Sequence, residues 1–288
     1  MATDLSQYGK GALEKPLSRK DYRLELLASA PNLPDEFIID FKGKIKNQGT
    51  SSSCVAQALS YYAELLNWIE TEKWVSLSAR FLYSNIFQPE GGSYIDDGLK
   101  ILQNEGCALE NDVPSYPPNG NPPNEAFMRA KIDIYGSETA KQYLIKKYVT
   151  WENTNVNWFK QAIFQGNGCV AISRGNNVLW GSENIELPSS RDQMVWRHCI
   201  YFLGWSEKRK AFRILNSWDG WGEQGFGWLP YSYVEQGYIT NPKTMIDVPN
   251  DTYLKLTSQI KNLTEMIRLW KIIIELKNKI AKLLKVGK

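Results

Sequence analysis

Four residues in this chain have the types and order to carry acyl chemistry together: Gln48, Cys54, His198 and Asn216. Cys54 lies in the run QGTSSSCVAQA, Gln48 to Ala58, with small residues before it and a hydrophobic, helix-compatible stretch after it. That context places the sulfur at the start of a helix, where the positive backbone potential favours a thiolate. Gln48, six residues earlier, can bring an amide donor to the same place. His198 is the only histidine in the 288 residues and sits in the apolar run VWRHCIYFLGW. A lone histidine among apolar neighbours is more often structural than catalytic, so its companions decide the matter. Asn216 opens NSWDGWGEQGFGW, where glycines permit close turns and tryptophan rings can cover a polar pair.

The division of labour in such a set is specific. His198 holds Cys54 as thiolate and later protonates a leaving amine. Asn216 accepts the imidazole N–H and fixes the ring without adding charge. The Cys54 backbone N–H and the Gln48 amide face the oxyanion. The reaction is attack on an amide carbonyl, an acyl-enzyme, then hydrolysis. It calls for no cofactor and no metal: one histidine and no HExxH run leave no zinc ligand set, and no Walker-type phosphate loop is present.

The elements that must position these residues are legible in part. Val55 to about Thr71 has helical periodicity on overlapping apolar faces, which predicts a long buried helix behind Cys54. Ser76 to Phe87 reads as a second helix opened by Ser76 or Ser78. Asp96 to Asn104 is a third, ended by Gly106. A short helix is expected over Asp21 to Ala30 and an extended run over Phe37 to Phe41. Prolines 114, 117, 118, 122 and 123 mark an irregular connection. Lys131 to Tyr135 and Tyr143 to Val149 read as strands, or as a strand and a short helix. Asn157 to Phe164 suits a helix; Cys169 to Ile172, Trp196 to Leu203 and Ala211 to Leu215 suit strands. A helix-rich first half and a strand-rich second half predict an α+β architecture in two lobes.

Lys and Arg number 34 against 31 Asp and Glu, so net charge does not point to nucleic acid. Four widely spaced cysteines, 54, 107, 169 and 199, form neither a disulfide framework nor a metal ribbon, which favours a reducing compartment such as the cytoplasm. The N-terminus has no apolar signal run, and no 18-residue apolar stretch would span a membrane. From Tyr253 to Lys288 there are nine Lys or Arg against two Glu. Met266, Leu269, Ile273, Leu276, Ile280 and Leu283 follow alternating steps of three and four there. Residues 252–286 therefore read as a long amphipathic helix, with three open readings: coiled-coil self-association into a homo-oligomer, packing back on the body, or contact of a cationic face with a membrane surface. The expected division is an N-terminal extension over 1–32, a domain over 33–240, a linker over 241–251 and the tail helix; three readings of control stay open, an extension that covers the cleft, assembly through the tail, and a chain made in its mature form.

With these motifs in order, the chain resembles the papain-like cysteine peptidases. The resemblance rests on Lys46-Asn47-Gln48-Gly49 with Cys54 six residues after the glutamine, on His198 followed by Gly204-Trp205, on Asn216-Ser217-Trp218, and on Trp221 to Phe226. It covers roughly residues 33 to 239. It implies a two-lobed papain-like fold, a polypeptide substrate, and a substrate cleft lined through backbone groups by Gly91 and Gly92. Ser51 stands where the family usually has a disulfide-forming cysteine, Val55 where it has a tryptophan, and the segment from Asn216 to Trp221 is one residue short of the usual pattern. The family's long helical proregion has no counterpart in the 32 residues ahead of the match. Two other functions share this set: a scaffold with weakened catalysis that binds or builds, and a relative that passes the acyl group to another amine.

Overall fold

The computed structural model describes residues 4–16, 32–132, 139–151 and 153–246, with 269, 270, 273, 274 and 277. The chain divides into two units, Met1–Ile246 and Asp247–Lys288. In the first unit a short strand β1 (Ala12–Leu13) and β2 (Glu36–Ile38) precede α1 (Cys54–Thr71). From Cys54 to Leu66 every residue of α1 is buried, so its stability comes from packing on all sides. Glu72, in the left-handed conformation, ends it. The buried Glu64 carboxylate of this helix accepts from Lys46 Nζ and from Leu77 N, both at 2.7 Å, which ties the loop before Gln48 to the helix interior.

Next come α2 (Ala79–Ile86), β3 (Ser93–Tyr94) and α3 (Ile95–Asn104). Ser78 caps α2 by accepting from Phe81 N at 2.9 Å. Gly106, at φ 78°, follows the end of α3. After α4 (Glu125–Arg129) come β4 (Lys147–Thr150), α5 (Val156–Gly166), β5 (Cys169–Gly175) and β6 (Trp196–Ser206). The chain then forms β7 (Ala211–Leu215), β8 (Phe226–Pro230), α6 (Tyr231–Glu235) and β9 (Ile239–Ile246). The large sheet runs β4-β9-β5-β6-β7-β8, with β2 paired to β6. All its pairings are antiparallel.

Strand alternation divides the core in two. Val170, Ile172, Cys199, Tyr201 and Leu203 join the helical lobe around α1, α2 and α3. Cys169, Ala171, Ile200 and Phe202 face the other way, into an aromatic core with Phe159 of α5 and Trp180, Trp205, Trp218 and Trp221. The described residues thus form the expected α+β fold in two lobes.

Several expectations change. Residues 241–246, expected to open a linker, complete the sheet as the end of β9. Pro242 hid this strand. It sits where the register between β5 and β9 shifts, so the sheet loses no central ladder bond to it. The stretch Tyr143–Val149 resolves into a 3-10 turn at Ala140–Tyr143 and strand β4. Lys131 and Ile132 are not in a strand, and the rest of that expected strand lies outside the described residues, as does the helix expected over Asp21–Ala30. The tail helix over 252–286 lies outside them too, apart from five residues. Leu269, Trp270, Ile273, Ile274 and Lys277 are helical, and the four apolar side chains among them are exposed.

Candidate active site

Cys54 is the first residue of α1 and has no exposed surface. The neighbouring backbone groups of Cys199, Gly11, Val55 and Cys54 itself favour the thiolate. Burial nevertheless outweighs them and pushes the thiol above its ordinary value. The thiolate expected from the helix terminus is therefore not favoured here: the terminus is present, but the sulfur is dry.

His198 enters from β6, where it is in register with Ser173 of β5. Its Nε2 lies 2.7 Å from Asn216 Oδ1, which also accepts from Ser217 N at 2.7 Å. An amide oxygen only accepts, so the imidazole proton is on Nε2. Buried Nδ1 has no hydrogen-bond partner and keeps a free lone pair. That is the tautomer needed to take the thiol proton from Cys54. Trp218 stacks on the ring at 4.3 Å between centroids. Burial, above all, holds the His198 pKa down to about 3; the Asn216 bond opposes this and the charge of Lys10 adds to it. Burial of both groups therefore favours the neutral form of the Cys–His pair in this state. Cys199, one residue on, turns toward α1 as alternation requires, and all four cysteines are free and buried.

Gln48 is locked by its neighbours. Its Oε1 accepts from Ser217 Oγ at 2.6 Å, and its backbone N donates to Ser217 O at 2.9 Å. The Asn-Ser pair thus orients both His198 and Gln48, and sequence reasoning assigned Ser217 no such role. Ser51, in the place of the usual cysteine, bonds to Gln48 O at 2.6 Å and to Ser53 Oγ at 2.7 Å, a polar tether for the nucleophile loop. Glu125 steadies the same loop by accepting from Ser52 N at 2.7 Å.

The structure brings these four residues together and adds a strap: residues 4–16 lie across them. Gln48 Nε2 donates to Gly9 O at 2.7 Å, so the amide expected to serve an oxyanion holds a strap carbonyl. Gly9 N donates to Gly49 O at 3.0 Å and Ser93 N to Gly11 O at 2.8 Å, and β1 pairs with β3 in parallel. Tyr8 stacks on Trp218 at 5.5 Å, and its hydroxyl donates to Asp219 O at 2.6 Å. Only glycine fits at two points: a Cβ on Gly9 would stand 2.1 Å from Ser51 O, and one on Gly11 would stand 2.3 Å from Ser52 Cβ. The alternating glycines of Gly9-Lys10-Gly11 were the one sequence signal of this close passage.

Gly92 adjoins the strap, but both glycine N–H groups and the Gly92 carbonyl are used internally. Gly91 N donates to Gln88 O, Gly92 N to the Tyr83 hydroxyl, and Gln88 N to Gly92 O. The extended strap is paired instead by Ser93 and Tyr94. Gly92 contributes by lacking a side chain: a Cβ there would lie 2.0 Å from Gly11 O.

The fold is shared with known proteins. The model of the papain family cysteine protease matches residues 40–243. An uncharacterized peptidase C1-like protein of Acanthamoeba polyphaga mimivirus is 25% identical over 209 residues, 65% of this chain and 64% of its own length. This chain therefore spans just under two thirds of that relative. Xylellain, a cysteine protease from Xylella fastidiosa, superposes with a TM-score of 0.71 at 22% identity, over 84% of this chain and 97% of xylellain. The cysteine protease and lectin-like domains of Cwp84, a surface layer associated protein of Clostridium difficile, give a TM-score of 0.63 at 18% identity, over 84% of this chain and 56% of that one. With the family model spanning residues 40–243 and the Cys54–His198–Asn216 set in place, the chain belongs to the papain family of cysteine proteases.

Proposed function

We propose that this protein is a cysteine endopeptidase and that residues 4–16 close its own cleft. The observation that carries the first part is the oriented base: the 2.7 Å bond from His198 Nε2 to Asn216 Oδ1, with Nδ1 left free. In the open state Cys54 passes its proton to His198 Nδ1 and attacks the substrate carbonyl carbon. Gln48 Nε2 and the Cys54 N–H hold the oxyanion, and His198 returns the proton to the leaving amine. Water, activated by the same imidazole, then cleaves the thioester and restores the thiol. The second part is supported by Gly9 O, which occupies the Gln48 donor that the oxyanion needs.

The test is turnover of a fluorogenic peptide panel with parallel labelling by a thiol probe, on wild type and Cys54→Ala, each with the strap opened as described below. Labelling and turnover that both vanish in Cys54→Ala establish the nucleophile. A folded, opened wild type that labels but cleaves nothing would favour the scaffold or acyl-transfer reading.

Two further parts of the reading concern surroundings. Residues 252–286 form an amphipathic helix that joins copies of the chain. Support comes from the exposed Leu269, Trp270, Ile273 and Ile274 and from the apolar spacing around them. Sedimentation is expected to show an oligomer that Ile273→Glu with Ile274→Glu converts to a monomer; an unchanged mass would sink the idea. Among the described residues no helix is long and apolar enough to cross a membrane. A reducing compartment is the setting that four free cysteines fit.

A further inference from the structure

The end of the strap reveals a site for a carboxylate. Glu14 Oε1 accepts from Arg174 Nε at 2.9 Å and from Thr240 Oγ1 at 2.9 Å. Oε2 accepts from Arg174 Nη2 at 2.9 Å and lies 3.0 Å from Arg197 Nε. The two arginines belong to neighbouring strands and face each other in register, Arg174 opposite Arg197. Like charges placed directly opposite destabilise a sheet unless something negative lies between them. With the strap withdrawn, the forked guanidinium of Arg174, the Arg197 charge and the Thr240 hydroxyl keep their positions on the rigid strands β5, β6 and β9 and lack an anion.

This cradle is within reach of the nucleophile. Gly11 packs directly against Ser52, two residues before Cys54, and Glu14 is three residues further along an extended chain, at most about 10 Å. Between them the strap pairs with β3 through main-chain bonds, the way an extended peptide binds any open strand edge, with side-chain pockets supplying selectivity. A substrate that takes the strap's place on β3 therefore carries a side chain over Arg174 and Arg197.

We propose that Arg174, Arg197 and Thr240 form a specificity-determining subsite that selects an acidic side chain in the polypeptide substrate, and that Glu14 occupies it in the closed chain. The inference rests on the endopeptidase reading above. Both arginine side chains are about half exposed, 40% and 51%, so solvent screens part of the attraction. The expected preference is roughly tenfold for Glu over its isostere Gln, shrinking as salt is raised.

The experiment uses the full-length chain opened by Gly9→Val with Gly11→Val. A second opened form is cut at a protease recognition sequence placed between Leu17 and Pro31, which serves if the valine variant fails to fold. Peptides that differ only by Glu or Gln at one position are compared by kcat/KM. The expected result is a Glu preference at one position, lost in Arg174→Gln with Arg197→Gln as kcat/KM for the Glu peptide falls to that for the Gln peptide. Turnover without an acidic preference at any position overturns the subsite and leaves the peptidase reading intact.

A binding arm keeps the two readings separable. A fluorescein-labelled peptide of residues 8–16, and its Glu14→Gln form, are titrated onto the same opened chain. If no peptide is cleaved, the peptidase reading fails. The carboxylate site then still stands if the Glu peptide binds tighter and the difference disappears with the two Arg→Gln changes. Equal binding overturns it.

Discussion

Full-length chain carrying Gly9→Val and Gly11→Val is expected to react with iodoacetamide at Cys54 about a hundredfold faster than wild type at pH 7. The reason is steric and local. Neither position has space for a Cβ, because the nearest atoms are Ser51 O at 2.1 Å and Ser52 Cβ at 2.3 Å. Backbone and loop atoms held by Glu125 and Gln48 do not give way as the tip of a flexible side chain would. The displaced strap loses the Gly9–Gly49, Gln48–Gly9 and Ser93–Gly11 hydrogen bonds. At about 1 kcal/mol net each, three such bonds amount to roughly a factor of a hundred in the open population. The fold survives, because the strap contributes only Leu5, Tyr8 and Ala12 to the two cores. Mass spectrometry of the labelled site gives the rate. Equal rates in the two proteins would mean that the strap does not limit access to the sulfur.

The second large effect belongs to His198. In the opened chain His198→Gln is expected to lower turnover by about 10⁴-fold or more, because the proton acceptor for Cys54 is gone and the members of such a set act as a unit. The same substitution in the closed chain is expected to flatten the dependence of stability on acid. Burial holds the His198 pKa near 3, whereas an unfolded histidine titrates near 6.5. Between those values the unfolded chain binds a proton that the folded chain does not, so stability rises with pH across the window and is lost as pH falls. The slope approaches about 1.4 kcal/mol per pH unit below pH 6, which amounts to roughly 2 kcal/mol between pH 6.5 and 4.5.

Glu14 acts in the same direction at lower pH. Burial would raise its pKa, but the bonds from Arg174 and Thr240 and the charges of Arg174 and Arg197 hold it below its ordinary value. Its contribution is present above the usual carboxylate range and goes as pH falls through the depressed value. Lys10 adds a positive charge near His198 and opposes its protonation. Urea unfolding of wild type and His198→Gln at pH 7 and pH 4.5 measures the difference. An identical loss of stability in both proteins would show that the imidazole is solvated and not the source of the acid sensitivity.

The amino-acid sequence by itself determined the parts of this protein that local rules govern. The apolar run after Cys54 has one helical solution, and α1 begins at Cys54 and ends at Thr71, as its periodicity requires. Ser78 caps α2 because a hydroxyl there meets a free N–H three residues on. The alternation in Trp196–Ser206 turns Cys199 to α1 and Ile200 to the aromatic core. Order and spacing alone brought out Gln48, Cys54, His198 and Asn216.

Tertiary structure decided what depends on distant partners. Strand β1 is two residues long and exists only because β3, some eighty residues later, supplies its ladder. No local pattern can encode such a pairing. Strand β9 contains Pro242 and was visible only once a register shift against β5 accommodated it. The charge state of the site was also beyond local reading. A helix terminus favours a thiolate, but whether the sulfur is wet depends on what lies over it, and here Gly9 to Ala12 lie over it. Helix, cap and alternation follow from neighbours in the chain. Burial, and with it the neutral Cys54–His198 pair and the occupied Arg174–Arg197 cradle, follows from neighbours in space.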